Sequence, residues 1–225
     1  TGLYPSPFDF QHQLMYLIPQ DGREWKKNDQ GYVDYAYSVI RDSILSSGGG
    51  ALVLFTSFSM MNEVYERVAG DIGKDMELLL QNQNTSRHVL LNRFKTNEDS
   101  SLFATASFWE GIDAPGNTLR LVIIVKLPFE VPSDPIYMAR SSYIDQHSDR
   151  GSFMTLTVPN AVIKMKQGVG RLIRNEEDKC IVMILDGRIV KKSYRHTMFS
   201  SLPEGYYPED TMVENIPSKI ENFLY

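Results

Sequence analysis

The sequence predicts an α/β domain on a largely parallel sheet that is covered on both faces. Two observations carry this. Short apolar runs recur along the chain: LMYLI (14–18), ALVLF (51–55), ELLL (77–80), SLFAT (101–105), RLVIIVKL (120–127) and CIVMIL (180–185). Most lack polar alternation, as strands buried on both sides require, and helical spacing of apolar residues fills most of the intervals between them.

The first 30 residues read as a lead-in that holds one strand at 14–18. A helix is predicted from Asp34 to Ser47, with apolar or aromatic residues at 36, 37, 40, 44 and 45, and GGG (48–50) stops it. ALVLF is then a fully apolar strand, and TSFS (56–59) opens a helix through Met61, Val64, Tyr65 and Val68. A helix near 87–95 separates ELLL from SLFAT, and another, from Val158 to Asn175, precedes CIVMIL. With no internal repeat, low-complexity tract or linker, residues 1–225 are expected to form one domain.

Composition narrows the function classes. The chain has 42% hydrophobic and 23% charged residues, an ordinary globular balance. No apolar run is long enough to span a bilayer and no signal-peptide pattern opens the chain, so a cytoplasmic protein without a membrane partner is expected. The single cysteine, Cys180, lies in an apolar run and reads as a buried, inert thiol. One cysteine excludes a four-cysteine zinc or iron–sulfur site within this chain. The net charge is −5, yet residues 158–200 carry +5 and the remainder −10. Concentrated positive charge suits a face that meets phosphate; a solvated basic face is the alternative.

In open parallel sheets, ligands sit beyond the carboxyl ends of the strands. Three predicted strands run directly into polar residues there: Thr56-Ser57, the stretch from Thr105 through Ser107 to Asp113, and Asp186-Gly187-Arg188. TSFS is able to offer hydroxyls and helix amides to a phosphate, or Ser57 or Ser59 is simply an N-cap. In SFWEGIDAPG (107–116), Gly111 permits close approach while Glu110 and Asp113 accept hydrogen bonds; an ordinary turn at Asp113 and Pro115 is the alternative. QGVGRLIR (167–174) lies on the helix predicted to run to Asn175. There Gln167, Gly170, Arg171 and Arg174 share one face, opposite Val158, Ala161, Val162, Met165, Val169, Leu172 and Ile173. Two guanidinium forks one turn apart suit phosphate oxygens, unless they pair instead with Glu176, Glu177 or Asp178. His12, His88, His147 and His196 show no ligand spacing.

Taken together, LVLFTSF (52–58), SFWEGIDAPG (107–116) and QGVGRLIR (167–174) resemble the second motor domain of superfamily 2 helicases, and more closely the DinG branch of the XPD-like family. VKLPFEVPSDP (125–135), ILDGRI (184–189) and SSLP (200–203) are similar to DinG segments as well; SYRHTMF (193–199) departs from the pattern, which more often has Tyr-Gly there. The resemblance implies a RecA-like domain that couples ATP hydrolysis to movement on single-stranded DNA, with the nucleotide between two such domains. It implies Arg174 as an arginine finger, with Arg171 and Gln167 completing that surface. Glu110, Gly111, Asp113 and Gly170 would adjoin the nucleotide, and Thr56, Ser57, Thr105 and Ser107 the DNA backbone.

No G-x-x-x-x-G-K-[ST] occurs; the nearest fragment, Gly73-Lys74-Asp75, lacks both the first glycine and the hydroxyl residue. No Asp-Glu pair follows an apolar strand either. The resemblance therefore implies that the phosphate-cradling loop, the Mg²⁺ ligands and any iron–sulfur cluster belong to a first RecA-like domain of the same polypeptide. That domain would be this chain's partner, in a bacterial protein acting at the nucleoid, and the 225 residues would hydrolyse no ATP alone. Three readings compete: a non-motor nucleic-acid module, part of a DinG-like protein whose main activity is an N-terminal 3′-5′ exonuclease, and a metal-dependent nuclease using Glu110, Asp113 and Asp186.

Overall fold

The computed structural model describes residues 9–105, 108, 118–130, 133–169, 172–173, 175–200 and 208–225. Among them, seven strands form one sheet: β1 (Leu14–Pro19), β2 (Ala51–Phe55), β3 (Leu78–Leu80), β4 (Ser101–Thr105), β5 (Leu121–Ile124), β6 (Cys180–Ile184) and β7 (Glu209–Thr211). The order across the sheet is β3-β4-β2-β5-β6-β1-β7, and every pairing is parallel. The predicted fold class is therefore the one observed. Because all strands point the same way, all their carboxyl ends lie along one edge.

The helices are α1 (Phe10–Gln13), α2 (Gln30–Ser46), α3 (Phe58–Ile72), α4 (Arg87–Thr96), α5 (Pro135–His147), α6 (Val158–Val169), α7 (Arg188–Lys191), α8 (Tyr194–Phe199) and α9 (Ile216–Leu224). Strand side chains alternate between the two faces. Leu52, Leu54, Val122, Ile124, Val182 and Ile184 pack with α4, α6 and α8 on one side. Val53, Phe55, Ile123, Ile181 and Met183 pack with α2, α3 and α9 on the other. Phe103 is wedged between a stacked Phe55 (ring centroids 6.2 Å apart) and an edge-on Tyr65 (5.3 Å). Such aromatic pairs add about 0.5–1.5 kcal/mol beyond their buried area. Cys180 is wholly buried and its thiol is pushed up by desolvation, as an inert thiol should be.

Several element boundaries differ from expectation. α2 starts at Gln30 rather than Asp34, because Tyr32 is buried and donates its hydroxyl to the Val125 carbonyl across the sheet edge. The GGG stop behaves as predicted. Gly49 has φ +84° and donates its amide to the Ile44 carbonyl; a Cβ there would lie 2.1 Å from the Asp99 carbonyl oxygen, so only glycine fits. Arg120 then secures the turn by donating to the carbonyls of Ser47 (3.2 Å) and Gly48 (2.7 Å).

The helix predicted to reach Asn175 is described only to Val169, and Leu172 and Ile173 beyond it are buried but not helical. Gly168 and Gly170 weaken the helix there. Asn175 then folds the chain into a side-chain turn, its Oδ1 accepting the amides of Glu177 (3.0 Å) and Asp178 (2.9 Å). At its start, α6 continues from a π-helical turn, Phe153–Thr157. α5, β7 and α9 were not anticipated.

Candidate nucleic-acid and nucleotide interface

The carboxyl edge brings the ends of β2 and β4 side by side. Phe55 is level with Thr105 in the pairing of these strands, so TSF leaves the sheet beside the end of β4. Thr56 and Ser57 are exposed. Ser57 occupies the N-cap position of α3, yet its side chain makes no capping hydrogen bond. Of the two sequence readings, a hydroxyl engaged as a cap is thus not what is seen. Phe58 beside it is 51% exposed.

Thr105 is nearly buried. Its amide (2.7 Å) and hydroxyl (3.0 Å) both donate to Oε1 of Gln81, the residue that follows β3. Gln81 itself donates its amide to the Phe103 carbonyl, so β3 and β4 are tied together where they end. Sequence reasoning passed over Gln81, although it follows an apolar run just as Thr56 and Thr105 do.

Of residues 106–117, only Phe108 is described; Ser107, Glu110, Gly111 and Asp113 lie outside the described residues. Phe108 is buried against the core and held by Arg87 of α4, which donates to its carbonyl (3.0 Å) and lies over its ring (4.9 Å). This anchor holds Phe108 against α4, and it was also missed from sequence.

On the second candidate surface, Gln167 is exposed in the last turn of α6, while Gly170, Arg171 and Arg174 lie outside the described residues. Of the predicted apolar stripe, Val158, Ala161, Val162 and Met165 are buried on α6 and Leu172 and Ile173 beyond it, while the Val169 side chain lies outside the described residues. The segment after α6 returns to the amino edge of the sheet, where Gln13, just ahead of β1, donates to the carbonyls of Asn175 (2.6 Å) and Asp178 (3.2 Å). Asp178 is buried and accepts the Asn175 amide. No described contact joins Gln167 to Thr56, Ser57 or Thr105.

The third polar loop, after β6, is a closed ion pair. Asp186 is fully buried; Arg188 donates to both its oxygens, and the amides of Leu127 and Arg188 complete its shell. Burial works against the Arg188 charge, but the bonds to Asp186 outweigh it and raise its pKa. A carboxylate so enclosed is not free to bind a metal, which removes Asp186 from the nuclease reading. Gly187 is pressed against the chain at residues 22–23; a Cβ there would lie 2.4 Å from the Gly22 carbonyl oxygen. Beside the pair, Lys126 holds its ammonium 3.3 Å from the centre of the Trp25 ring. Burial first, then the Arg188 charge, lowers the Lys126 pKa.

A family model described as "Helicase C-terminal domain" matches residues 40–205. The ATP-dependent DNA helicase YoaA of Escherichia coli is 38% identical over 203 residues, 89% of this chain and 31% of that protein. The ATP-dependent DNA helicase DinG of Photobacterium profundum is 37% identical, covering 88% and 29%. The 3′-5′ exonuclease DinG of Bacillus subtilis is 32% identical, covering 88% and 22%. The chain thus spans less than a third of the length of these relatives. Among solved structures, an XPD helicase matches with TM-score 0.64 and 21% identity, over 89% of this chain and 35% of its own. Saccharomyces cerevisiae Dbp5 bound to RNA and ADP BeF3 matches with TM-score 0.59 and 12% identity, over 95% and 46%. These two likenesses speak for the fold alone, which is RecA-like. No described helix is long and apolar enough to cross a membrane. With the family model spanning most of the sequence and the DinG-like motifs in their expected order, the chain belongs to the helicase C-terminal domain family.

Proposed function

We propose that this chain is the C-terminal motor half of a DinG-type, ATP-dependent DNA helicase, working with a first RecA-like domain on single-stranded DNA. The observation that carries the reading is the level pairing of Phe55 with Thr105, which ends β2, leading into TSF, and β4, leading into SFWEGID, at the same level on one sheet edge. On that edge the exposed hydroxyls of Thr56 and Ser57 meet the DNA backbone, and Thr105, steadied by Gln81, shapes the entry to Ser107. Arg174, with Arg171 and Gln167, places positive charge on the transferring phosphoryl group, an effect often worth about 10³-fold or more in rate. Glu110, Gly111, Asp113 and Gly170 line the same nucleotide. The Mg²⁺ ligands and the phosphate-cradling loop come from the partner domain, since the 225 residues contain no such loop.

The test has two parts. The 225-residue chain alone should show no DNA-stimulated ATP hydrolysis, and robust hydrolysis would overturn the half-site reading. In a longer protein that carries both motor domains, Arg174→Ala should abolish DNA-stimulated turnover while DNA binding persists. Near-normal turnover would remove Arg174 from the assigned role, and DNA binding that ignores nucleotide would favour a non-motor module.

A further inference from the structure

The half of the carboxyl edge beyond the TSF motif carries an unbalanced basic cluster. Lys126 stands there next to the motif: Leu54 pairs with Ile124, and Thr56 and Lys126 are each two residues further on. Trp25, under the Lys126 ammonium, brings in the loop after β1, where Lys26 and Lys27 are exposed. Lys191 and Lys192, also exposed, follow β6 in and just after α7.

Several acids nearby are already matched, while Asp21, exposed in the loop after β1, accepts the Val213 amide. Asp186 is closed by Arg188, Glu24 faces Lys191 at 3.2 Å, Asp29 faces Arg23 at 3.9 Å, and Asp210 faces Arg195 at 2.6 Å. Lys26, Lys27, Lys126 and Lys192 have no ion-pair partner among the described residues. Uncompensated cations of this kind suit an anion that arrives from outside.

Neighbouring strands lie about 4.8 Å apart, so the edge from β4 across β2, β5 and β6 to β1 runs roughly 19 Å. Hydroxyls occupy its first part and lysines its second. That length and that sequence of donors suit an extended polyanion lying across the edge better than a single small anion. We propose that Lys126, Lys26, Lys27 and Lys192 form a second phosphodiester-binding stretch, which continues the single-stranded nucleic-acid path from Thr56 and Ser57 over the ends of β5, β6 and β1. The proposal rests on the helicase reading for the identity of the strand. Trp25 positions Lys126 by holding its ammonium over the ring, a cation–π contact.

The experiment measures binding of labelled oligo-dT to the 225-residue chain as a function of salt. Each phosphate contact on a single strand contributes about 0.7 to the slope of log affinity against log salt. Lys26→Gln/Lys27→Gln, at exposed positions where folding is not at risk, should lower the slope by about 1.4. Adding Lys126→Gln should bring the loss to about 2 and weaken binding by roughly tenfold or more. Thr56→Ala/Ser57→Ala should weaken binding while the slope is kept. If that hydroxyl variant weakens binding and the lysine variants match wild type in slope, the lysine path is overturned and the helicase reading stands. If wild type binds no oligo-dT, the lysine path falls, and the helicase reading still rests on the two-domain hydrolysis test. Displacement of oligo-dT by poly-glutamate at equal charge concentration would also overturn the proposal, in favour of an acidic polypeptide.

Discussion

Arg188 closes over Asp186, with Nε 2.8 Å from one carboxylate oxygen and Nη2 2.5 Å from the other, and the carboxylate has no exposed surface. Removing one partner of such a pair strands a buried charge and typically costs about 3–5 kcal/mol. Arg188→Ala should therefore lower the thermal midpoint by roughly 6–20 °C, at about 2–4 °C per kcal/mol for a domain of this size. The joint replacement Asp186→Leu/Arg188→Met should cost less than Arg188→Ala alone. Thermal melts of the variants, read by circular dichroism, check both statements; equal losses would mean that the pair is not the source of the cost.

Ser57 offers a sharper separation of stability from function. A serine that caps a helix through its side chain is worth about 1 kcal/mol, but Ser57 makes no such bond. Ser57→Ala should leave the unfolding free energy from urea titrations within about 0.5 kcal/mol of wild type. A destabilisation near the full capping value would show that the hydroxyl serves α3 in solution.

Gln81 is the acceptor for two donors of Thr105. Gln81→Ala removes an acceptor shared by a nearly buried amide and hydroxyl, a loss of about 1–3 kcal/mol. Gln81→Glu keeps an acceptor oxygen and should lose markedly less. Urea unfolding of the two variants tests the order, and the reverse order would overturn this account of the β3–β4 edge.

Glu77 carries a pH signature. Asn97 first, and then Arg93, hold its carboxyl below the ordinary glutamate range. A depressed folded-state pKa contributes stability that is present above the unfolded value, about 4.3, and is lost as pH falls through the folded value. Acidification from about pH 5 to below 4 should therefore cost wild type more than Glu77→Gln. The difference should stay under about 1 kcal/mol, because the pair is partly exposed. Parallel acid-dependent losses in the two proteins would exclude the effect.

The inner strands were legible because burial on both faces leaves uninterrupted apolar runs. SLFAT is β4 residue for residue, and ALVLF is β2. α5 could not be read this way: none of its residues is buried, so its apolar side chains follow no helical period, and only Asp134-Pro135 marks its start. β7, with Glu209 and Asp210 in three residues, has no strand signal of its own and exists through pairing with β1. α9 was readable, since Ile216 and Ile220 stand one turn apart after a break, and both are buried. At the candidate site the polar residues after strands were found by the carboxyl-end rule. Lys126 was lost inside RLVIIVKL, because the strand stops at Ile124 and no periodicity signals that stop.

The place of β1 in the sheet has a consequence for how the chain is made. Leu14 aligns with Cys180 and Leu17 with Glu209, so β1 is completed by two strands that follow it by more than 160 residues. At roughly 5–20 residues per second, LMYLIP would wait about 10–40 s on the ribosome before both neighbours exist. During that interval an apolar, β-forming segment is open to misassociation. The family match begins at residue 40 and ends at 205, so a chain trimmed to it would keep the three motifs yet lose both β1 and β7. The outer edge of β6 would then be bare, and such a fragment should self-associate rather than persist as a monomer.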